Sequence, residues 1–402
     1  MGSSTPCSRR DAAAPRGLTP QKKRWSDPKG SERRSAIVLG PENSIASCWK
    51  LTSRVGLLDP PDRGSACYPN LSPLENEPPM KALFLGTLAA SQAMPIIEFI
   101  TADVRTEILD NNEPAQAAAA LADADVLLTG VWRSGFPAAP KLRLLQVPLA
   151  GTDGIDVSSL PRGVTLCNAY GHEPALGEFA IMMMLAWRHR LFDIATSFRE
   201  GSWSWSPMVG GAVRGEIGGQ TIGIVGLGHI GREVAWRAAA LGCRVLAVNR
   251  TMREKPPSVE HVFSWFELDR MLGECDIVVL SCALTPKTTE LIDGRRLAAM
   301  KSSAFLINLA RGPIAEEEAL YRALRDGVIG GAALDTWWRY PSAGDPAPRP
   351  SRYPFHELPN VIMTPHCSPR TDGTIERRSR DVARNIDRFV RGEPLENVVT
   401  TT

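Results

Sequence analysis

The stretch TIGIVGLGHIGREVAWRAAALG joins an apolar strand, a glycine-rich turn and a helix. Its turn has the spacing G-x-G-x-x-G through Gly226, Gly228 and Gly231. The first glycine permits a tight turn, the second lets backbone N–H groups approach a pyrophosphate, and the third lets the helix pack closely on the strand. A turn of this kind between a strand and a helix predicts a dinucleotide-binding site, with His229 and Ile230 beside the phosphates.

The end of the following strand indicates which nicotinamide dinucleotide binds. An acidic residue about 20 positions beyond the glycines binds the ribose 2′-hydroxyl in many NAD sites. Asn249 stands there instead, followed by Arg250, with Arg253 and Lys255 close behind. Without a carboxylate a 2′-phosphate is not repelled, and the guanidinium of Arg250 can bind it with two hydrogen bonds. The sequence therefore favours NADP; the alternative is that these side chains are solvated loop charges beside an NAD site.

Short apolar runs alternate with helical patterns from residue 80 onward. Strands are predicted at 81–86, 125–130, 142–147, 164–169, 243–249, 276–282, 304–310, 330–335 and 360–366, besides the strand before the glycine turn. Helical patterns lie between them, including one long pattern over 173–200. Runs that are apolar throughout are typical of parallel sheets covered on both faces. Because 402 residues exceed what one core usually serves, we expect two α/β domains.

Composition narrows the class of protein further. A net charge of +2 gives no argument for a nucleic-acid partner, and no apolar run approaches the roughly 18 residues of a membrane span. The eight cysteines form neither a CxxC pair nor a Cys/His spacing suited to zinc. We therefore expect a cytoplasmic protein with reduced thiols, and no metal, membrane or nucleic-acid partner.

Residues 1–79 differ from the rest of the chain. They hold 11 of the 32 prolines, with 12 Lys and Arg against 8 Asp and Glu, and no sustained periodicity. Such a segment buries too little apolar surface to offset its ordering entropy, so disorder is expected. The strand pattern MKALFLG begins on Met80, which suggests a natural start at this methionine and a mis-called extension before it.

Several motifs together resemble the D-isomer-specific 2-hydroxyacid dehydrogenases, a family of 2-oxo acid reductases and phosphoglycerate dehydrogenase-like enzymes. The glycine turn is accompanied, in the family's order, by GTDGID at 151–156, ALTPKTTELI at 283–292, NLARG at 308–312, GAALD at 331–335 and TPH at 364–366. The resemblance covers about 80–400. It implies two Rossmann-like domains, with an NAD(P)-binding domain (181–369) inserted into a discontinuous flavodoxin-like substrate domain (80–180 and 370–402), and it implies a homodimer.

The resemblance also implies the residues of the active site. Arg311 matches the family arginine, whose guanidinium can hold the carboxylate and 2-oxo group of a keto acid in a fork. His366 matches the family histidine, which can give a proton to the oxygen that becomes negative when hydride reaches the carbonyl carbon. Asp335 matches the family aspartate that contacts the nicotinamide carboxamide, and Ala310, at the same strand end as Arg311, is expected to bind the cofactor. The family binds the substrate carboxylate with main-chain N–H groups of the loop that is here Gly130, Val131 and Trp132.

One family residue is missing. The glutamate that hydrogen-bonds the catalytic histidine and favours its charged form is replaced by Tyr340, which stands before Pro341. A phenol can orient an imidazole but carries no charge at neutral pH. The pKa of His366 should then be raised less than in relatives, with an activity optimum displaced toward acid. Asp345 and Asp372 are alternative carboxylate partners.

Three functions are compatible with this pattern. The first is reduction of a 2-oxo acid by NAD(P)H to a D-2-hydroxy acid, with Arg311 orienting the substrate and His366 as the acid. The second keeps the cofactor chemistry but acts on another small anion, as formate- and phosphite-oxidising relatives do. The third is a dinucleotide-sensing binding protein, similar to the corepressor branch, with weak or lost catalysis, which the missing glutamate favours.

Overall fold

A computed structural model of the chain describes residues 79–110, 113–251, 254–342 and 344–402. The predicted disordered or mis-called segment 1–79 lies outside these ranges except for Pro79. Strands in the described ranges are β1 Lys81–Leu85, β2 Arg105–Leu109, β3 Val126–Leu128, β4 Leu144–Gln146, β5 Thr165–Cys167, β6 Thr221–Val225, β7 Arg244–Val248, β8 His261–Phe263, β9 Ile277–Leu280, β10 Phe305–Asn308, β11 Gly331–Leu334, β12 Val361–Met363 and β13 Val398–Thr401. Helices are α1 Thr87–Ile97, α2 Pro114–Leu121, α3 Glu173–Arg188, α4 Leu191–Arg199, α5 His229–Ala240, α6 Leu268–Glu274, α7 Gly294–Ala299, α8 Glu317–Arg325 and α9 Asp372–Val390.

The strands form two sheets. The first has the order β13-β5-β4-β3-β1-β2 and is parallel except for β13, which pairs antiparallel with β5. Without β13 this is the 2-1-3-4-5 order of the flavodoxin-like fold. The second has the order β12-β11-β10-β9-β6-β7-β8, with every pair parallel. The predicted class, α/β with two Rossmann-like sheets, is therefore confirmed.

The inner strands of both sheets are buried on both faces, as their continuous apolar runs require. Four apolar clusters cover them, one on each face of each sheet. In the second sheet the chain places β7 and β8 on one side of β6 and β9 to β12 on the other. The strand order thus reverses between β6 and β9, and ligands of such sheets bind outside the carboxyl ends of the strands at this point.

Two helices cross between the sheets. Helix α3 follows β5 of the first sheet but packs on the second, where Trp187 stacks on Phe305 with ring centroids 4.5 Å apart. Helix α9 follows β12 of the second sheet but packs on the first through residues such as Val382 and Ile386. All strands of the second sheet thus lie between β5 and β13 in the chain. The predicted domain limits stay predictions; the one at 180 falls inside α3.

The predicted secondary structure differs from the observed one in two respects. Three strands, β2, β8 and β13, were not predicted, and each is an edge strand of its sheet. An edge strand needs no continuous apolar run because one side or face meets solvent, and β2 reads RTEIL with no residue fully buried. The prediction of one continuous helix over 173–200 is wrong, because the chain forms two helices, α3 and α4, separated at Arg190, whose φ is 53°. No helix in the described part of the chain is long and apolar enough to cross a membrane.

Candidate active site

The turn that carries Arg311 is fixed by its neighbours. It follows β10, where buried Asn308 donates from Nδ2 to the Arg311 carbonyl at 2.9 Å and accepts the Ala310 N–H on Oδ1 at 3.1 Å. A Cβ on Gly312 would lie only 2.4 Å from the carbonyl carbon and oxygen of Trp337. A residue with a side chain at 312 would therefore push the turn away, and Arg311 would move with it.

The guanidinium of Arg311 reaches the first sheet's side of the cleft. Its Nε and Nη2 donate to Oδ2 of Asp153 at 3.2 and 2.8 Å, and its Nη1 donates to the Ala310 carbonyl at 2.8 Å. A guanidinium has five N–H donors, so one remains on each terminal nitrogen. A carboxylate can accept a hydrogen bond from each terminal nitrogen of a guanidinium.

The loop that carries His366 follows β12 and is held by a buried carboxylate. Asp335, 1% exposed at the end of β11, accepts hydrogen bonds from Thr364 Oγ1 at 2.6 Å and from the N–H groups of Cys367 and Ser368 at 3.0 Å. His366 itself has a φ of 56°, in the left-handed region. Such a conformation costs about 1–3 kcal/mol in a residue other than glycine, and hydrogen bonds on both sides of His366 maintain it.

The imidazole of His366 faces a mixed electrostatic environment. Burial lowers its pKa from the ordinary value of 6.5, the carboxylate of Asp335 opposes this, and the charge of Arg311 lowers it further. The net direction is downward. Arg311 and His366 follow β10 and β12, whose carboxyl ends lie at the same edge of the parallel sheet.

Tyr340 lies against His366 but does not hydrogen-bond it. The two ring centroids are 5.5 Å apart with the planes tilted by 52°. The Tyr340 hydroxyl instead accepts the N–H of Trp337 at 3.1 Å. Burial of the hydroxyl raises the pKa of Tyr340, so the phenol stays neutral. The side chain thus occupies the expected place beside the histidine without the expected hydrogen bond.

The two alternative carboxylates lie elsewhere. Asp345 and Asp372 are both exposed. The backbone N–H of Asp345 bonds within its own loop to Ser342, and Asp372 accepts the N–H of Gly373 in the first turn of α9. Within the described ranges, neither carboxylate is among the groups that influence the pKa of His366.

The glycine turn lies where the strand order reverses, and its geometry fits a dinucleotide. Gly226 has a φ of 101°, and a Cβ there would lie 2.7 Å from the backbone of Cys282, beyond the end of β9. Ser281 Oγ donates to the Gly226 carbonyl at 2.8 Å. A Cβ on Gly231 would lie 2.2 Å from that same carbonyl oxygen, whereas nothing lies within 4 Å of one on Gly228. Packing explains two glycines, and the approach of a ligand explains the third.

His229 and Ile230 lie within the glycine turn, at the start of α5. His229 begins α5 and is exposed, with its ring centroid 5.5 Å from that of Tyr170. Ile230 is half-buried and packs on the core of the second sheet. The N-terminus of α5 offers N–H groups and the positive end of the helix dipole to a phosphate.

The loop after β7 carries the residues predicted to select the cofactor. Asn249 Nδ2 donates to a backbone carbonyl of the same loop at 2.9 Å, and Arg250 is exposed. Lys255 Nζ donates to another backbone carbonyl at 2.8 Å, so it stabilises the loop. Arg253 lies outside the described residues.

The predicted substrate loop is paired with the loop that contains Asp153. The N–H of Trp132 donates to the Gly154 carbonyl at 3.0 Å, and the N–H of Val131 donates to Thr129 Oγ1 at 3.3 Å. The Trp132 side chain is 3% exposed in the core of the first sheet, so it does not line the cleft.

At the beginning of the predicted substrate loop, the main-chain N–H groups are the least engaged in hydrogen bonds. Val131 is 41% exposed and Gly130 is half-buried. The main-chain donors of this loop nearest to solvent are therefore the N–H groups of Gly130 and Val131. The N–H of Val131 already makes a long hydrogen bond, 3.3 Å, to Thr129 Oγ1.

Comparisons with known proteins show the family to which the chain belongs. Residues 181–368 match the model of the family described as D-isomer specific 2-hydroxyacid dehydrogenase, NAD binding domain. A glyoxylate reductase from Korarchaeum cryptofilum is 36% identical over 271 residues, which cover 66% of this chain and 78% of that protein. The chain belongs to the D-isomer specific 2-hydroxyacid dehydrogenase family. It is accordingly an NAD(P)-dependent enzyme, as predicted.

Solved structures of 2-hydroxyacid dehydrogenases show the same two-domain fold. A family protein from Aeromonas salmonicida has a TM-score of 0.69 at 26% identity, covering 80% of this chain and 99% of its own. A probable 2-hydroxyacid dehydrogenase from Rhizobium etli, in complex with NADP, has a TM-score of 0.64 at 26% identity, covering 81% and 98%. A nicotinamide dinucleotide is therefore the cofactor of this 2-hydroxyacid dehydrogenase, and its glycine turn fits one.

Two groups near Arg311 were not assigned from the sequence. Asp153 belongs to the GTDGID motif, but no role was given to it. His172, just before α3, is buried, and its Nδ1 has no hydrogen-bond partner among the described residues. Burial lowers the pKa of His172 to about 4, with Arg378 and Arg311 acting in the same direction. The sequence does not reveal the contact of Asp153 with Arg311, because it depends on how the two sheets meet.

The replacement Tyr340→Glu should raise the pKa of His366. A carboxylate beside the imidazole would favour the charged form, which burial and Arg311 now disfavour. An NMR titration of the His366 ring protons in the native chain and the variant measures this directly. Asp345→Asn, which removes an exposed carboxylate of the adjacent loop, is the control and should leave the titration unchanged. An unchanged pKa in Tyr340→Glu would mean that position 340 is not the partner position.

Proposed function

We propose that this enzyme reduces a 2-oxo acid to a D-2-hydroxy acid at the expense of NAD(P)H. The observation that carries the proposal is the placement of Arg311 and His366 at one edge of the second sheet, beside the glycine turn and opposite Asp153. The name of the relative from Korarchaeum cryptofilum, glyoxylate reductase, supports a small 2-oxo acid as substrate.

The proposed roles follow from the donors that remain available. The two unengaged N–H groups of Arg311 would bind the substrate carboxylate or its 2-oxo group and orient the carbonyl carbon. The bound dihydronicotinamide supplies the hydride. His366 would give its proton to the carbonyl oxygen as negative charge develops there, which yields the hydroxyl group. Gly130 N–H would add a donor to the carboxylate.

The downward direction of the His366 pKa sets the expected pH dependence. Reduction needs the protonated imidazole, which is lost as the pH rises through a pKa below the ordinary 6.5. As the pH rises, the rate of reduction should therefore begin to fall already below pH 7. Oxidation of the hydroxy acid needs the neutral ring. It should therefore persist to lower pH than in a relative with a glutamate partner.

A panel of 2-oxo acids (glyoxylate, hydroxypyruvate, phenylpyruvate and 2-oxoglutarate) with NADPH and NADH tests the activity. Arg311→Lys should lower kcat/KM by roughly 10²-fold, because a point charge replaces a bidentate fork. Arg325→Lys is the matched control; this arginine pairs with Asp326 on the surface, and its replacement should change kcat/KM little.

The same panel decides the second candidate function, a dinucleotide-sensing protein. It is favoured by one observation: the imidazole of His366 has no carboxylate hydrogen bond among the described residues. Tight binding of NADPH or NADH with no turnover of any oxo acid would support the sensor and contradict the reductase. Oxidation of formate or phosphite without reduction of the panel would support the small-anion alternative.

NADP is the cofactor we propose, because Arg250 is exposed and no acidic side chain occupies position 249. Arg250→Ala should raise the KM for NADPH about tenfold and leave that for NADH unchanged, since only NADPH carries the 2′-phosphate. Lys255→Ala is the control, because its ammonium group already bonds a backbone carbonyl. A preference for NADH in the native enzyme that survives Arg250→Ala would contradict the assignment.

We propose also that the enzyme is a homodimer. Helices α3 and α5 border an apolar groove of about 740 Å³ that includes Met182 and Trp236. The segment just after α4 presents further exposed apolar side chains, with Met208 85% and Val213 95% exposed. A two-fold axis that brings the groove of one chain against the apolar segment of its partner would cover both. A cytoplasmic location stays a prediction from the sequence.

Light scattering after size exclusion measures the dimer. The native chain should have twice its mass of 43.7 kDa, and Trp236→Glu should shift it toward the monomer, because a charge would be buried in the contact. Phe266→Asp, at a residue 97% exposed on a different element, should keep the native mass. A monomeric native protein at micromolar concentration would exclude the contact.

A further inference from the structure

Arg378 carries a buried charge that no carboxylate contacts. It lies on the second turn of α9 and is 8% exposed, yet it makes no ion pair within the described ranges. Its one side-chain hydrogen bond there is long, 3.4 Å from Nε to the Tyr170 carbonyl. A buried charge is normally paired or fully hydrogen-bonded, because its removal from water is otherwise costly. The guanidinium of Arg378 therefore lacks the partner that its burial requires.

His172, near Arg378, is also without a partner. It is 8% exposed, and its Nδ1 makes no hydrogen bond among the described residues. The carboxylate of Glu173 satisfies neither group, because its Oε1 is 3.8 Å from that nitrogen and its Oε2 accepts the N–H of Gly171 at 2.8 Å. Two buried polar side chains on neighbouring elements thus have hydrogen-bonding groups that the protein does not use.

The loop between β5 and α3 brings these groups close to Arg311. At its start, Asn168 Nδ2 donates to the Ala150 carbonyl at 2.8 Å. Gly151 comes next in that partner loop, and a Cβ there would lie 2.2 Å from Arg311 Nη2. Burial lowers the pKa of His172 to about 4, and the charges of Arg378 and Arg311 both act in the same direction. His172 therefore lies within electrostatic range of both arginines.

The terminal nitrogens of Arg378 are open to the cleft. In the part of the chain that the structure describes, His172 Nδ1 is the one fully enclosed side-chain nitrogen or oxygen without a hydrogen bond. Nη1 and Nη2 of Arg378 make no hydrogen bond there either, so they are not fully enclosed and can be reached by a ligand. Together they carry four N–H donors, which suit the two oxygens of a carboxylate.

We propose that Arg378 is a specificity-determining residue, which binds the second carboxylate of a 2-oxo dicarboxylic acid while Arg311 binds the carboxylate beside the oxo group. The proposal rests on the proposed reductase activity. A single negative charge suits the site better than a phosphate, because Glu173 already balances part of the charge of Arg378. Burial lowers the pKa of Arg378, and a bound carboxylate would favour its charged form.

Arg133 is the competing cation for a second carboxylate. It follows Trp132 in the predicted substrate loop and is exposed. Water and salt screen an exposed charge, so its attraction for an anion is weak. Arg378 is withdrawn from water, and its attraction for an anion is screened less. We therefore expect Arg378, and not Arg133, to determine a preference for dicarboxylates.

The experiment compares oxaloacetate and 2-oxoglutarate with 2-oxobutanoate and 2-oxopentanoate, which have the same chain lengths and a terminal methyl group in place of the second carboxylate. The native enzyme should have the higher kcat/KM for the dicarboxylate in at least one pair. Arg378→Met should lower that ratio about tenfold, as expected from the loss of a charged hydrogen-bond partner. Arg378→Lys, which keeps the charge without the fork, should retain part of the preference.

Arg133→Met and Arg377→Met are the matched controls. Arg377 is exposed and donates from Nε to the Gly171 carbonyl at 2.9 Å, so its replacement disturbs the same loop without removing the buried charge. Both controls should change kcat/KM equally for the two members of a pair and leave their ratio unchanged. A preference that is lost in Arg133→Met and kept in Arg378→Met would assign the second carboxylate to Arg133 and overturn the proposal.

Calorimetry with the oxidised cofactor measures binding without turnover. Arg378→Met should weaken the binding of the preferred dicarboxylate about tenfold and leave that of its monocarboxylate counterpart unchanged. Equal weakening of both would indicate a merely structural role and overturn the proposal; Arg378→Gln repeats the test if the methionine variant does not fold. Inorganic phosphate that binds through Arg378, without any preference for dicarboxylates, would also overturn it. A native enzyme that binds a dicarboxylate through Arg378 but reduces no 2-oxo acid contradicts the proposed function and supports the site.

Discussion

The buried carboxylate of Asp335 determines where the imidazole of His366 lies, because it accepts three hydrogen bonds from the loop that carries this histidine. The loop would otherwise relax, since His366 has a left-handed backbone conformation that only its neighbours maintain. Asp335 can do this because β11 and β12 are parallel neighbours, so their carboxyl ends meet at one edge of the sheet. The same parallel direction brings the ends of β6 and β10 to that edge, with the glycine turn and Arg311.

The second connection in the site is the ion pair of Arg311 with Asp153, which joins the second sheet to the first across the cleft. It fixes one edge of the guanidinium, and one N–H on each terminal nitrogen remains for a ligand. An exposed ion pair contributes about 0–1 kcal/mol to stability, so its importance lies in orientation and in charge balance. The positive charge of Arg311 is therefore largely balanced by Asp153 before a substrate enters.

Tyr340, in place of the family glutamate, changes which groups favour the charged form of His366. A tyrosine beside the histidine supplies an aromatic contact, and its hydroxyl is used by the N–H of Trp337. Among the described residues, the carboxylate that favours the charged imidazole is Asp335, whose oxygens already accept three hydrogen bonds. Trp337 also donates from Nε1 to the Thr364 carbonyl at 2.8 Å, and so links the strand end to the loop of His366. The aromatic residues after β11 thus hold the loop of His366 in place, and they favour the protonated imidazole less than a glutamate would.

Local patterns in the sequence determined the buried strands, the glycine turn and the family, because continuous apolar runs and glycine spacing report directly on backbone and burial. The polar edge strands β2, β8 and β13 lack such a signal, since solvent replaces part of their packing. Arg311 and His366 were identified by motif, whereas the partner of Arg311 lies 158 positions away in the chain. Only the tertiary structure decided that Asp153 occupies that guanidinium, that Trp132 is buried away from the cleft, and that Tyr340 bonds Trp337. Each of these depends on how two separately formed sheets and their loops pack together, which no local periodicity encodes.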